Sequence, residues 1–237
     1  MTYIGVDGCK AGWFSVELSE NGNHGFSVHG TFESLWNYYI NAAIILVDIP
    51  IGLPYGPQER NCDLKARQLL GKPRSSSVFP TPCREAVQAK SYNEASVISR
   101  QITNRGLSWQ AWNISNKIYE VDNILQINST ARKIVREVHP EVLFWALNGH
   151  QSMQHHKSKA VGFSERLSVI EAHFPNAATI VSAVNCPGVA KDDIVDALAA
   201  AVTAYRSGGN LLNIPEEPQQ DLIGLPMEMV YWTGQEG

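Results

Sequence analysis

Apolar and polar positions alternate with a period of two through residues 12–19, where Phe14, Val16 and Leu18 interleave with Ser15 and Glu17, the pattern of a half-buried strand. Ahead of it, residues 2–6 form a short apolar run, Tyr3-Ile4-Gly5-Val6. Behind it, the turn residues Glu20-Asn21-Gly22-Asn23 lead into a third short strand over 25–30, so an antiparallel meander of three strands is predicted. The period then becomes helical. Thr31 can cap a helix over 32–41 with Leu35, Trp36, Tyr39 and Ile40 on one face. Residues 42–47, AAIILV, are apolar without interruption, as a strand covered on both faces must be. A right-handed crossover through the helix lays this strand parallel to the first.

From Pro50 to about Asn128 prolines interrupt short helical pieces such as 61–70, and the stretch at about 55–130 reads as a helical insertion in one domain spanning 1–237. Residues 133–139 are another strand candidate. Pro140 and Glu141 open a helix with Val142, Phe144, Trp145 and Leu147 on its apolar side. A helix over 164–174, a short strand over 179–184 and a helix over 192–209 follow. The last carries Ile194, Ala197, Leu198, Ala201, Val202 and Tyr205 at helical spacing and stops at a Gly pair. Trp109 and Trp112 are expected in the core, and His150, His155 and His156 in a solvated loop. The order of elements is that of an α/β protein.

The chemistry enters through the acids. Asp7 ends the first strand and is followed by Gly8 and Gly12, which permit a tight turn and close approach of another group. Asp48 ends the parallel strand in the same way, which places both carboxylates at one edge of the sheet. On the late helix Asp192 is the expected N-cap, while Asp193 and Asp196 are three residues apart and share one face. Carboxylates gathered so closely raise one another's pKa unless a cation compensates, and Mg²⁺ or Mn²⁺, bound by carboxylates and water, is the natural one. His139 and Glu141 flank Pro140 and read as an ordinary strand end and an ordinary first-turn acid.

Composition narrows the partners. Over 237 residues the net charge is −4, so the whole molecule is no polyanion binder. Between Arg60 and Arg84, however, stand Arg60, Lys65, Arg67, Lys72, Arg74 and Arg84 against Asp63 alone, a local charge of +5. Arg74, ahead of three serines, and Arg84, beyond two stiffening prolines, are the expected phosphate contacts. Four cysteines lie far apart, which signals neither a zinc site nor a disulfide framework. No basic start leads into an apolar stretch, and no run approaches the ~18 apolar residues of a membrane span, so the expectation is a soluble cytoplasmic protein.

Several stretches carry a resemblance: GVDGCKAGW (5–13), DIPIGLP (48–54), CDLKARQLLGKPRSSSVFPTPCR (62–84), NKIYEVD (116–122), REVHPEVLFWALNG (136–149), DDIVDALAAA (192–201) and GLPMEMVYW (224–232). In that order they resemble the bacterial and archaeal family of unknown function number 429, usually described as predicted ribonuclease H-like nucleases. The resemblance implies a ribonuclease H-like fold with a mixed five-stranded sheet and hydrolysis of phosphodiester bonds in a nucleic acid, DNA or RNA, with Mg²⁺ or Mn²⁺ at the site. Its acid set is closest to the Holliday-junction resolvases: Asp7, Asp48, Asp193 and Asp196, with Glu137 as a supplementary ligand. The first helix departs from ribonuclease H proper, having only Glu33 at its start, and Cys9 stands where the proofreading exonucleases have a second acid. Two other readings compete. An actin-like ATPase or phosphate-binding protein shares the strand topology but needs a duplicated domain that this chain lacks. A non-catalytic nucleic-acid-binding module is disfavoured because unpaired buried carboxylates are costly.

Overall fold

The structure is a computed structural model that describes residues 1–234. Strands β1 (Thr2–Cys9), β2 (Gly12–Ser19) and β3 (His24–His29) form the expected antiparallel meander. Helix α1 (Phe32–Tyr38) begins at Thr31, whose hydroxyl oxygen accepts the Ser34 N–H at 3.2 Å. It delivers the chain to β4 (Ile44–Val47), which pairs parallel with β1. Helices α2 (Asn61–Arg74), α3 (Arg84–Val87), α4 (Tyr92–Thr103), α5 (Trp109–Ile127) and α6 (Ala131–Ile134) precede β5 (Val135–Glu137), which runs parallel to β4. Four helices follow, α7 (Pro140–Leu147), α8 (Ala160–His173), α9 (Ala177–Ala183) and α10 (Lys191–Ser207), then a separate antiparallel hairpin of β6 (Leu212–Gln220) and β7 (Pro226–Tyr231). The result is an α/β fold with a mixed five-stranded sheet, ordered β3-β2-β1-β4-β5 and flanked by helices.

Alternation along the central strands sorts the core into two layers. Tyr3, Phe14, Leu18 and Leu46 face α10 and its neighbours α7 and α8. Ile4, Val6, Ile45 and Val47 face α1 and α5, from which Phe32, Leu35, Ile118, Val121 and Leu125 pack inward. Because helices cover both faces, even Ser15 is buried on β2, where its hydroxyl lies 2.8 Å from that of Ser27 and 3.1 Å from Tyr39.

Gly5 sets the distance between α10 and the sheet. A Cβ there would fall 2.1 Å from both the Ala197 carbonyl oxygen and the Ala201 nitrogen, so the helix backbone rests directly on the strand. Gly5→Ala is expected to cost roughly 3 kcal/mol, at the upper end for overpacking, because backbone rather than a flexible side chain must move. Chemical denaturation checks this; a variant as stable as the wild type would show that α10 can shift freely.

The structure departs from the pattern-based expectation in several places. Residues 179–184 are not a strand; 179–183 belong to α9 and Val184 follows its end. Ala177, Ile180, Val181 and Val184 turn inward while Thr179 and Ser182 stay exposed, a helical spacing that a six-residue apolar window hides. The stretch at about 55–130 is not uniform, since α5 belongs to the layer that covers the sheet. Trp109 is 59% exposed and stacks on Tyr92 with ring centroids 3.9 Å apart, whereas Trp112 packs against the small cluster around Cys83 and Ala111. The hairpin β6–β7 was not anticipated. Pro215 and Pro218 disguise β6, whose pairing shifts register between Ile214 and Gln219, where those prolines stand. All four cysteines are free, with Cys9, Cys62 and Cys83 buried, and no helix among the described residues is long and apolar enough to cross a membrane.

Candidate functional site

Strand register builds the floor of the site. Val6 pairs with Val47, so the next residues, Asp7 and Asp48, stand side by side where β1 and β4 end, about 4.8 Å apart along the backbone. The Asp48 N–H donates to the Val6 carbonyl at 3.0 Å and extends the pairing to that point. Helix α10, held down on Gly5, brings Asp196 over the same edge. These three carboxylates, with Lys117, His139 and Lys157, line a cavity of about 730 Å³.

The electrostatics follow from burial. Desolvation, then the proximity of Asp48 and Asp196, pushes the Asp7 carboxyl well above the ordinary carboxylate range. Asp48 is pushed up to about 8, first by desolvation and then by Asp196. Asp196 is also raised by desolvation, but only to about 6, because Lys157 donates to its Oδ2 at 2.7 Å. Burial opposes the charge on Lys157, yet Asp196, Asp7 and Asp48 together hold its pKa above that of an ordinary lysine. Burial lowers the pKa of His139, whose Nδ1 has no partner among the described residues.

Glu137, expected as a supplementary ligand, has a different task. Both its oxygens are taken by Arg60, at 2.7 and 2.8 Å, and Oε2 also accepts the Ile51 N–H at 2.6 Å. Arg60 is 1% exposed and pairs as well with Asp63 at 2.5 Å. One buried guanidinium thus serves two buried carboxylates, and Glu137 has no oxygen free of a donor. Asp193 lies at the edge of the acid group. Its Oδ2 accepts the Ala190 N–H at 2.8 Å, so it caps α10, and Ala190 takes the N-cap position expected for Asp192.

The two arginines expected to bind phosphate differ. Arg74 lines the cavity, as expected, and its Nε donates to the Met153 carbonyl at 2.6 Å and lies 3.9 Å from Glu141. Arg84 does not line the cavity at all. It bridges Asp122, at 2.8 and 2.9 Å, and Asp221, at 2.6 Å, tying α5 to the turn before β7. Arg67 is paired with Glu59 at 2.6 Å. The local charge of +5 is largely cancelled in space by acids from distant parts of the chain.

Two lysines also line the cavity, and neither stood out in the sequence. Lys157 belongs to the polar loop between α7 and α8, where no periodicity marks it. Lys117 is on α5; its Nζ donates to the Gly12 carbonyl and lies 4.6 Å from the centre of the Trp13 ring. Of the loop histidines, His156 lines the cavity, while His155 is 3.4 Å from Glu165. Glu141 is ion-paired with Arg166.

The donor set is consistent with a divalent cation in part. Among the described residues the buried Asp196 Oδ1 has no hydrogen-bond partner, and Asp7 and Asp48 line the cavity beside it. Among the described residues, however, no three His, Cys, Asp or Glu side chains are already arranged to hold a metal ion. Lys157 on Asp196 supplies the positive charge instead.

Fold and site together define an α/β protein with an acid-floored cavity at the carboxyl end of two parallel strands. The chain belongs to the family described as protein of unknown function (DUF429), whose model matches residues 5–220 and so includes Asp7, Asp48 and Asp196. No curated protein and no solved structure matches it.

Proposed function

We propose that this protein is a metal-dependent phosphodiesterase acting on nucleic acid, with a ribonuclease H-like fold. The strand order β3-β2-β1-β4-β5, antiparallel and then parallel, is the order that such a fold requires and supports the reading. The observation that carries it is the register that sets Asp7 beside Asp48 under Asp196, three carboxylates lining one cavity, with Asp196 Oδ1 unpartnered. Asp7, Asp48 and Asp196 would hold Mg²⁺ or Mn²⁺, with Asp193 close behind. When bound, the ion supplies Lewis acidity and a water of lowered pKa. The chain's own contribution is to present the acids on rigid elements, two strand ends and a helix locked against Gly5, and to keep His139 neutral on the cavity wall.

The test is cleavage of labelled single-stranded, duplex and junction substrates in DNA and RNA, with Mn²⁺, Mg²⁺ or EDTA, beside calorimetric titration with Mn²⁺. Cleavage that needs the metal and disappears in Asp48→Asn is the expected result. Absence of both cleavage and metal binding, or cleavage indifferent to Asp48→Asn, would sink the proposal.

A further inference from the structure

We infer that Lys117 and Lys157 form a two-sided clamp for a phosphate group of the substrate, the part first expected of Arg74 and Arg84. The inference rests on the phosphodiesterase reading and names the residues through which that site would hold its substrate.

Three observations support it. First, three arginines of the basic stretch are spent, Arg60 on Glu137 and Asp63, Arg67 on Glu59, and Arg84 on Asp122 and Asp221, while Arg74 lines the cavity with its Nε tied to the Met153 carbonyl. Second, both lysines line the cavity and approach the acids from opposite faces of the sheet. Lys117 comes from α5, in the layer shared with α1, and Lys157 from the loop that leads into α8, in the layer shared with α10. A phosphate seated over the ends of β1 and β4 therefore meets an ammonium on either side, each with N–H donors beyond the one already used. Third, Lys117 is held in place by its surroundings. Its Nζ is anchored on the Gly12 carbonyl and the Trp13 ring, and its stem lies against Gly8, where a Cβ would fall 2.6 Å from Lys117 Cδ and 2.9 Å from Cε. The bare Gly8 following Asp7 thus makes room for the lysine that flanks it. Lys157 reaches the cavity from Asp196, 2.7 Å away, and Asp192, 3.5 Å away, and its ammonium would be freed for a phosphate if those carboxylates held a cation.

The experiment measures binding of short fluorescein-labelled single-stranded DNA and RNA at several salt concentrations, with Ca²⁺ as the divalent ion. Lys117→Met, which keeps an unbranched stem over Trp13, and Lys157→Met are each expected to weaken binding about tenfold and to lower the salt slope by about one. Gly8→Ala removes no charge, and Gly8 lies outside the left-handed region, so its backbone accepts alanine. By displacing the Lys117 stem it should reproduce the Lys117→Met loss. Lys65→Met, on the exposed side of α2, should change neither quantity. Wild-type affinity and slope in both Lys117→Met and Gly8→Ala would overturn the clamp. So would a loss confined to Lys157→Met and accompanied by a lowered melting temperature, since that loss would be structural. A wild-type protein that binds neither oligonucleotide would fail earlier, at the phosphodiesterase reading itself.

Discussion

Replacing Asp7 with Asn is expected to abolish divalent-cation binding and metal-dependent cleavage, while raising the melting temperature of the metal-free protein by about 5 °C at pH 8. The two effects have one cause. Burial and the neighbouring Asp48 and Asp196 disfavour the Asp7 carboxylate, so the native state keeps protons that the unfolded chain, with carboxyls near 3.8, has released. A raised carboxyl pKa contributes stability that is full at low pH and is lost as pH rises. The loss continues through about 6 for Asp196 and about 8 for Asp48. The metal-free wild type should therefore melt progressively lower from pH 5 to pH 9. Asp7→Asn should flatten that decline, gaining little at pH 5 and on the order of 1–3 kcal/mol at pH 8. Added Mn²⁺ should restore the wild type at high pH and leave the variant unmoved. Thermal melts in EDTA across this range decide the matter. A flat wild-type profile, or a variant less stable than the wild type at pH 8, would mean that the three acids do not repel one another as their placement requires.

The second large effect is expected at Arg60. Arg60→Ala leaves Glu137 and Asp63 buried, charged and without their common partner, and breaking a buried pair in this way costs roughly 3–5 kcal/mol. Against a typical total of about 5–15 kcal/mol, the variant should be insoluble or melt far below the wild type. Lys65→Ala, exposed on the helix that Arg60 precedes, should stay within about 0.5 kcal/mol of the wild type. Equilibrium unfolding in urea makes the comparison. Near-equal midpoints for the two variants would show that the Arg60 cluster does not hold the loop after β4 to β5.

How far the site could be read from the chain depended on how local each signal was. Asp7 and Asp48 were legible because each ends an apolar strand, and their adjacency followed from the parallel crossover through α1. Asp196 was legible because it lies three residues from Asp193, on one face of the helix beside its apolar stripe. Glu137 and Arg84 have partners that the sequence did not show, for a common physical reason. Charge counted along a segment ignores partners that arrive from elsewhere, and here Glu137 lies 77 residues from Arg60 and Asp221 lies 137 from Arg84. Lys117 and Lys157 were missed by the same blindness in reverse, since neither carries a local mark and each reaches the acids only after α5 and the loop before α8 have packed. The strand expected at 179–184 failed because a short apolar window does not distinguish a strand from a two-turn helix.

The pattern of apolar positions by itself determined the meander, the helix and the buried parallel strand, and thereby put two carboxylates at one edge of a mixed sheet. These features depend on near neighbours in the chain, where periodicity, capping and glycine act. The tertiary structure alone decided which charges are spent and which remain available. It turned Arg60 and Glu137 into internal supports, sent Arg84 away from the cavity, and brought Lys117 and Lys157 to Asp7 from opposite faces of the sheet. An ion pair is a matter of a few ångströms in space, and distance along the chain does not fix it.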